Sequence, residues 1–318
     1  MSKTIIISHE TREWTDDYVT RLGPMFPAFD FRAAYSLDEA RQLAPEAHAI
    51  IGMGPHMPAD LIGAMPRLEW VQTLTTGIDN FRHMDTLRPG IPVTRVTGKH
   101  GPQVSETAIL LMMALARRLP DTLAAQRDKR WDRRPQPVLA GKTLCIFGLG
   151  SIAETLALYA DTMGMRVTGI SDGRSSAPHV SRIYPRADLA QAVGEADFLV
   201  VLVPLTEATR NIINADVLAA MKPTAFLVNV ARGGCVDEAA LRDALVAGQI
   251  AGAGMDVFAQ EPLPADDPMW TAPNTIITPH IAGFADVYAE QCLPVVINNL
   301  TIYAQQGTAA LPDALKGQ

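Results

Sequence analysis

The sequence predicts an α/β fold made of two parallel-sheet units. Three observations carry that expectation. Short runs rich in β-branched residues alternate with helix-like stretches along most of the chain. A glycine turn, "GLGSIA" (148–153), joins one such run to the helix-like stretch after it. The length, 318 residues, suits one large domain or two ordinary ones and is ample for a core.

Within the first hundred residues, "TIIIS" (4–8), "HAIIG" (48–52) and "EWVQTL" (69–74) read as strands. Residues 101–119 read as one long buried helix. Pro102 stands at its start, where a missing N–H costs nothing, and Pro120 follows its apolar stretch. The segment through "WDRRPQPVLAG" reads as irregular. A second α/β series then supplies six strands: "KTLCIFG" (142–148), "MRVTGIS" (165–171), "ADFLVVLVP" (196–204), "AFLVNV" (225–230), "IAGAGMDV" (250–257) and "NTIITP" (274–279). Helices are expected over 151–164, with Gly164 as a cap, and over 237–248. A last long helix is expected from Asp286 to about residue 306. No internal repeat or low-complexity tract interrupts the pattern.

Composition narrows the function classes. Hydrophobic residues at 48% and charged residues at 19% fit a soluble globular protein. A net charge of −7 argues against a general nucleic-acid binder. The cluster Arg127, Lys129, Arg130, Arg133, Arg134 is broken by acids and reads as a solvated face. Three cysteines, Cys145, Cys235 and Cys292, lie far apart with no metal-ligand spacing, so no metal is expected and the thiols read as reduced and cytoplasmic. No apolar run reaches membrane-span length, and the opening "MSKTIIISHETREW" is unlike a signal peptide.

The glycine turn carries the first chemistry. Gly148 permits a tight turn after a strand. Gly150 lets the backbone approach a pyrophosphate at a helix N-terminus, and Ala153 takes the third position of the fingerprint. An acidic residue is expected about 20 residues on, to bind a ribose 2′-hydroxyl. Here Ser171 takes that place, Asp172 falls one residue late, and Arg174 follows. Serines and an arginine suit a 2′-phosphate, which favours NADP(H) over NAD(H). A slightly displaced Asp172 that binds NAD stays open.

The later segments "VPLTEATRNIINADVLAAMKPTAFLVNVARGGCVDEAAL" (203–241), "AGAGMDVFAQEPLP" (251–264) and "NTIITPHIAGF" (274–284) are joined by upstream "LTTGIDNF" (74–81) and "VSETAILLMMALARR" (104–118). In this order, and over nearly the whole chain, they resemble the D-isomer-specific 2-hydroxyacid dehydrogenases of the glyoxylate/hydroxypyruvate reductase type. The resemblance implies two Rossmann-like or flavodoxin-like doubly wound domains with a cleft between them. Residues 1–99 and 286–318 would form the substrate domain, and 100–285 an inserted dinucleotide-binding domain.

It also implies a site. Arg232 matches the arginine that holds a substrate carboxylate and polarises its carbonyl. His280, which alone reads as a packing residue, matches the general acid and base. Glu261 matches the carboxylate that orients that ring. Thr76 and Gly77 match the loop whose N–H groups bind the substrate carboxylate, although Gly77 also suits a plain turn. Asp256 matches a position near the nicotinamide, with a structural cap as its alternative. The implied cofactor set adds Ser151, Ile152, Pro204, Thr209, Val230 and Gly283. Thr206 and Thr209 also suit a helix cap.

The expected reaction is hydride transfer between a nicotinamide and a small 2-oxo acid of the glyoxylate or hydroxypyruvate type, giving the D-hydroxy acid. The family implies a homodimer through the coenzyme domain and the arm after its long helix, where Trp131 is a candidate to reach the partner. Lys99 and His100 are either substrate contacts or exposed hinge residues. A phosphoglycerate dehydrogenase-like enzyme and an NAD(P)H-sensing, corepressor-like binding protein are the alternatives. Formate dehydrogenase is disfavoured because that relative has glutamine where Glu261 stands.

Overall fold

A computed structural model describes residues 2–316. The chain forms two compact units, one from the segments up to Lys99 and from Asp286 onward, the other from His100–Ala285.

The first unit holds β1 (Lys3–Ser8), α1 (Arg12–Met25), β2 (Phe29–Ala34), α2 (Leu37–Leu43), β3 (Ala47–Gly52), α3 (Ala59–Gly63), β4 (Trp70–Thr73), α4 (Asp79–Arg82) and β5 (Val93–Thr94). Its strands pair in parallel in the order β2-β1-β3-β4-β5. Apolar clusters cover both faces of the sheet, as parallel strands require.

The second unit begins with α5 (Gly101–Ala116) and α6 (Leu119–Arg127). β6 (Thr143–Phe147), α7 (Ser151–Thr162), β7 (Arg166–Ile170), β8 (Arg182–Tyr184), α8 (Leu189–Glu195) and β9 (Phe198–Val201) follow. Then come α9 (Ala215–Ala220), β10 (Phe226–Asn229), α10 (Glu238–Val246), β11 (Gly252–Met255) and β12 (Thr275–Ile277). The order β12-β11-β10-β9-β6-β7-β8, all parallel, is a doubly wound Rossmann-like sheet. The direction of winding reverses between β6 and β9. α5 lies close on β11, where a Cβ on Gly254 would stand 3.0 Å from Leu111 Cβ. That contact accounts for the second glycine of "AGAGM", while a Cβ on the first, Gly252, would stand 2.6 Å from Asn274 O.

The last helix, α11 (Tyr288–Gln306), belongs to the first unit. Its Asn299 donates to Gln72 Oε1 at 2.7 Å, and Thr94 Oγ1 donates to the same oxygen at 2.7 Å. Trp70 Nε1 donates to Thr94 Oγ1. A satisfied polar network of this kind fixes the helix on its sheet.

One expectation needs correction. The long helix does not run unbroken over 101–119. α5 stops at Ala116, Arg118 takes a left-handed φ of 49°, and α6 starts anew with Pro120 in its first turn. Pro120 cannot donate to the preceding turn, so it restarts the helix and the next residues are helical rather than irregular. β2, β5 and β8 also escaped the sequence reading. β5 and β8 are two and three residues long, and β2 and β8 are edge strands. No described helix is long and apolar enough to cross a membrane.

Candidate active site

In the second unit the candidate residues gather at the C-terminal ends of the strands, where open α/β sheets hold ligands. The turn after β6 carries Gly148 and Gly150. Val230 directly follows β10, Asp256 directly follows β11, and Pro204, Arg232 and His280 stand three residues beyond β9, β10 and β12.

The glycine turn fits a dinucleotide. Gly148 has φ 102°, and a Cβ there would stand 2.9 Å from the Leu202 carbonyl. Its N–H donates to Ile170 O at 3.1 Å, which ties the turn to the end of β7. A Cβ on Gly150 would meet nothing within 4 Å, so space is open in front of the α7 N-terminus. No side chain caps that helix, whose first turn contains Ser151 and Ile152. Their N–H groups have no acceptor within the helix, which suits a phosphate. Buried Ala153 lets the helix sit close to the sheet.

At the end of β7, Ser171 Oγ accepts the Gly173 N–H at 3.2 Å. Arg174 Nη1 bonds Leu149 O at 3.1 Å and Glu154 Oε1 at 2.6 Å, so its guanidinium is held beside the phosphate turn. Asp172 is engaged by Arg186. Its Oδ1 accepts the Arg186 N–H at 2.8 Å, and Oδ2 lies 3.3 Å from Arg186 Nε. Neither Glu154 nor Arg186 was singled out from sequence. Glu154 lies in the first turn of α7, where an acid is ordinary, and Arg186 has no local signal.

The acid–base pair is formed within this unit. His280 Nδ1 lies 2.6 Å from Glu261 Oε2, and Glu261 Oε1 accepts the Phe258 N–H at 2.9 Å. Burial opposes ionisation of Glu261. The hydrogen bonds from His280 and Phe258 and the charges of His280 and Arg232 outweigh it, holding the carboxyl below its ordinary value. An ionised carboxylate only accepts, so Nδ1 carries the proton and Nε2 is the nitrogen left to exchange one.

Glu238 anchors the same loop by accepting the Ala259 N–H at 2.6 Å. Burial and neighbouring carboxylates raise its pKa against the opposing effect of that bond. The two acids that hold this loop, Glu261 within it and Glu238 at the start of α10, therefore shift in opposite directions.

His280 stands on a strained turn with φ 53°. Such a conformation costs about 1–2 kcal/mol for a non-glycine residue. Asp256, 1% exposed, holds the turn. Its backbone carbonyl accepts the His280 N–H at 2.7 Å. Its carboxylate accepts Thr278 Oγ1 at 2.5 Å, the Ile281 N–H at 3.0 Å and the Ala282 N–H at 2.9 Å. The structural reading of Asp256 is thus realised in hydrogen bonds.

Arg232 is shaped by buried Asn229, whose amide donates to Arg232 O at 2.9 Å while its oxygen accepts the Ala231 N–H at 3.1 Å. Thr209 Oγ1 accepts the Thr206 N–H at 2.7 Å and donates to Pro204 O at 2.7 Å, the capping arrangement weighed from sequence. His100 is buried, packs near Gly283, and is shifted down in pKa by burial. Trp131 is 95% exposed. All three cysteines are free and buried, and burial pushes Cys145 up to about 12. Thr76 and Gly77 lie in the first unit, in the loop after β4, where Thr76 Oγ1 donates to Val96 O at 2.9 Å.

The depressed Glu261 carboxyl gives a pH prediction. A lowered folded-state pKa contributes stability above the unfolded value, and that contribution is lost as pH falls through the folded value. Glu261→Gln should therefore melt below the parent near pH 7, and the gap should hold down to the ordinary glutamate value of about 4.3 and close only below it, as pH falls through the depressed folded value. A gap that stays constant would separate the stability of this loop from the charge.

A turn suited to a phosphate, and a histidine held by a carboxylate that also feels an arginine, all on one doubly wound sheet, fit one class: a dinucleotide-dependent oxidoreductase. Comparison with known proteins gives the family. Residues 109–282 match the family described as D-isomer specific 2-hydroxyacid dehydrogenase, NAD binding domain. Glyoxylate/hydroxypyruvate reductase B of Pectobacterium carotovorum subsp. carotovorum (strain PC1) is 35% identical, over 84% of this chain and 85% of that one. A D-isomer specific 2-hydroxyacid dehydrogenase family protein from Aeromonas salmonicida subsp. salmonicida A449 superposes with a TM-score of 0.86 at 30% identity, covering 96% of each chain. An NADPH-dependent glyoxylate/hydroxypyruvate reductase from Sinorhizobium meliloti, in complex with NADP and malonate, gives a TM-score of 0.77 at 29% identity, covering 96% of this chain and 95% of that one. The chain belongs to the D-isomer specific 2-hydroxyacid dehydrogenases, NAD(P)-dependent oxidoreductases with a Rossmann fold.

Proposed function

We propose that the protein reduces a small 2-oxo acid, of the glyoxylate or hydroxypyruvate type, to its D-hydroxy acid, with NADPH preferred over NADH. The observation that carries the chemistry is the His280–Glu261 contact of 2.6 Å, which leaves His280 Nε2 to exchange a proton. The substrate type rests on the relatives, whose names include glyoxylate and hydroxypyruvate reductases. The bound nicotinamide supplies the hydride. Arg232 holds the substrate carboxylate in its planar fork and polarises the carbonyl. His280 Nε2 protonates the carbonyl oxygen and takes that proton back in the reverse direction. Glu261 keeps the ring oriented for both steps. Thr76 and Gly77 are the candidate N–H donors to the carboxylate.

Gly148, Gly150, Ser151 and Ile152 would hold the pyrophosphate, and Ser171, Asp172 and Arg174 the adenosine ribose. Pro204, Thr209, Val230, Arg232, Asp256, His280 and Gly283 would border the nicotinamide half. On this reading the residues up to Lys99 with those from Asp286 form the substrate domain, and His100–Ala285 the coenzyme domain. The preference for NADPH is supported by Arg174 beside the phosphate turn and by Asp172 being engaged with Arg186. Exposed Leu110, Met113, Leu119 and Leu123 on α5 and α6 support a homodimer through the coenzyme domain. Three free thiols fit the cytoplasm.

The test is NADPH and NADH oxidation with glyoxylate, hydroxypyruvate, phenylpyruvate and sugar-derived 2-oxo acids. The highest kcat/KM is expected for one of the first two with NADPH. Turnover confined to bulky oxo acids would overturn the substrate assignment. Arg174→Ala should raise the Kd for NADPH by about tenfold or more, through loss of a charge-assisted contact, and barely change that for NADH. Equal weakening of both would remove Arg174 from 2′-phosphate recognition.

A further inference from the structure

We propose that Arg186 is a coenzyme-selecting residue that acts through Asp172. This rests on the reading above, in which the end of β7 receives the adenosine ribose.

The geometry follows from strand register. β7 and β8 pair with Ile170 opposite Tyr184. Two residues further on, past the last paired rung, Asp172 and Arg186 are brought together. One residue meets both Asp172 oxygens: the Arg186 N–H donates to Oδ1 at 2.8 Å, and the guanidinium forms an ion pair with Oδ2, Nε at 3.3 Å without hydrogen-bond geometry. The backbone bond sets the direction of the carboxylate, and the guanidinium balances its charge.

That pairing decides what the strand end presents. A free carboxylate here would accept a ribose 2′-hydroxyl and repel a 2′-phosphate. With Arg186 beside it, Asp172 has one oxygen hydrogen-bonded and its charge offset by an ion pair, which weakens both its hold on a 2′-hydroxyl and its repulsion of a 2′-phosphate. The polar groups left toward the turn are Ser171 and the cation of Arg174, which Glu154 holds in place. A chain carrying an aspartate near the NAD position is thereby kept open to a 2′-phosphate. Arg186 lies fourteen residues beyond Asp172, on the far side of an edge strand, so no sequence fingerprint includes it.

The test is calorimetric binding of NADPH and NADH to the parent, Arg186→Ala, Asp172→Asn and the double variant, with Arg186→Lys as a charge-keeping control. The Arg186 side chain is 37% exposed, so its truncation should leave the fold intact, checked by an unchanged melt. Arg186→Ala should weaken NADPH about tenfold by uncovering the like charge, while NADH binds as well as before or better. In the Asp172→Asn background the same substitution should change NADPH binding less than twofold to threefold, because the charge it balances is gone. Arg186→Lys should keep NADPH within about threefold of the parent.

Equal weakening of NADPH with and without Asp172 would overturn the proposal, since Arg186 would then act on the phosphate directly. No change in either coenzyme would overturn it as well. A parent that binds NADH more tightly than NADPH would refute the coenzyme preference proposed above, yet the coupling between positions 172 and 186 would still decide this inference.

Discussion

Replacing His280 by alanine should lower kcat by about three orders of magnitude, the scale of a lost general acid, while the Kd for the coenzyme stays within a few-fold of the parent. Nε2 is the nitrogen that Glu261 leaves for proton exchange, and no other imidazole shares that carboxylate among the described residues. Alanine also sits poorly at φ 53°, so part of the loss would come from the turn relaxing. His280→Asn separates the two effects. Asparagine tolerates the left-handed region and holds the turn, but exchanges no proton. Both variants should lose activity alike in steady-state reduction of glyoxylate or hydroxypyruvate. A near-normal kcat in His280→Asn would remove this residue from proton transfer.

The second large effect is expected at a residue with no side chain. A Cβ on Gly233 would stand 1.8 Å from the Phe258 carbonyl carbon and 2.2 Å from the Ala259 nitrogen. No flexible group can yield there, because both obstacles are backbone. Gly233→Ala must push apart the loop that carries Arg232 and the loop that carries Glu261. The expected cost is about 3 kcal/mol or more from overpacking, seen as a melting temperature lower by roughly 6–12 °C. The fraction that folds should be impaired in kcat as well as in substrate KM, since both loops hold proposed site residues. Gly234→Ala is the control. Its Cβ would meet only the Leu205 side chain, at 3.0 Å and 3.2 Å, and the parent melt should be nearly retained. A Gly233→Ala protein as stable and active as the parent would show that the two loops do not depend on this contact.

Much of the site was legible because its parts are local. The turn at Gly148 and Gly150 sits between a strand and a helix that the periodicity already places. Arg232, Glu261 and His280 stand in short segments just past strands, where sheet ends present side chains. The first α/β pattern and most strands were legible for a similar reason, since buried parallel strands are continuous apolar runs. The break between α5 and α6 is not visible in the sequence, because Arg117 and Arg118 are good helix formers with apolar Leu119 after them, and only the backbone reversal at Arg118 ends the helix. The work of Asp256 was hidden too. A lone acid at a strand end suits a cofactor contact as well as a clamp. Only the three donors from Thr278, Ile281 and Ala282 show the clamp.

Sequence alone determined the family, through the order of its segments, and with it the proposed chemistry: a dinucleotide turn, an arginine for a carboxylate and an imidazole for the proton. The glycine turn is read from residue type and near neighbours, whereas the roles of Arg232, Glu261 and His280 follow from the resemblance, since a lone histidine reads as packing. Tertiary structure decided how the groups are held. Glu261 meets His280 across nineteen residues, Gly233 seats one loop on another, and Arg186 reaches Asp172 across paired strands. Hydrogen-bond direction and close packing between distant segments exist only once β6 to β12 lie side by side. Pairs of that kind have no period or spacing that a sequence can show.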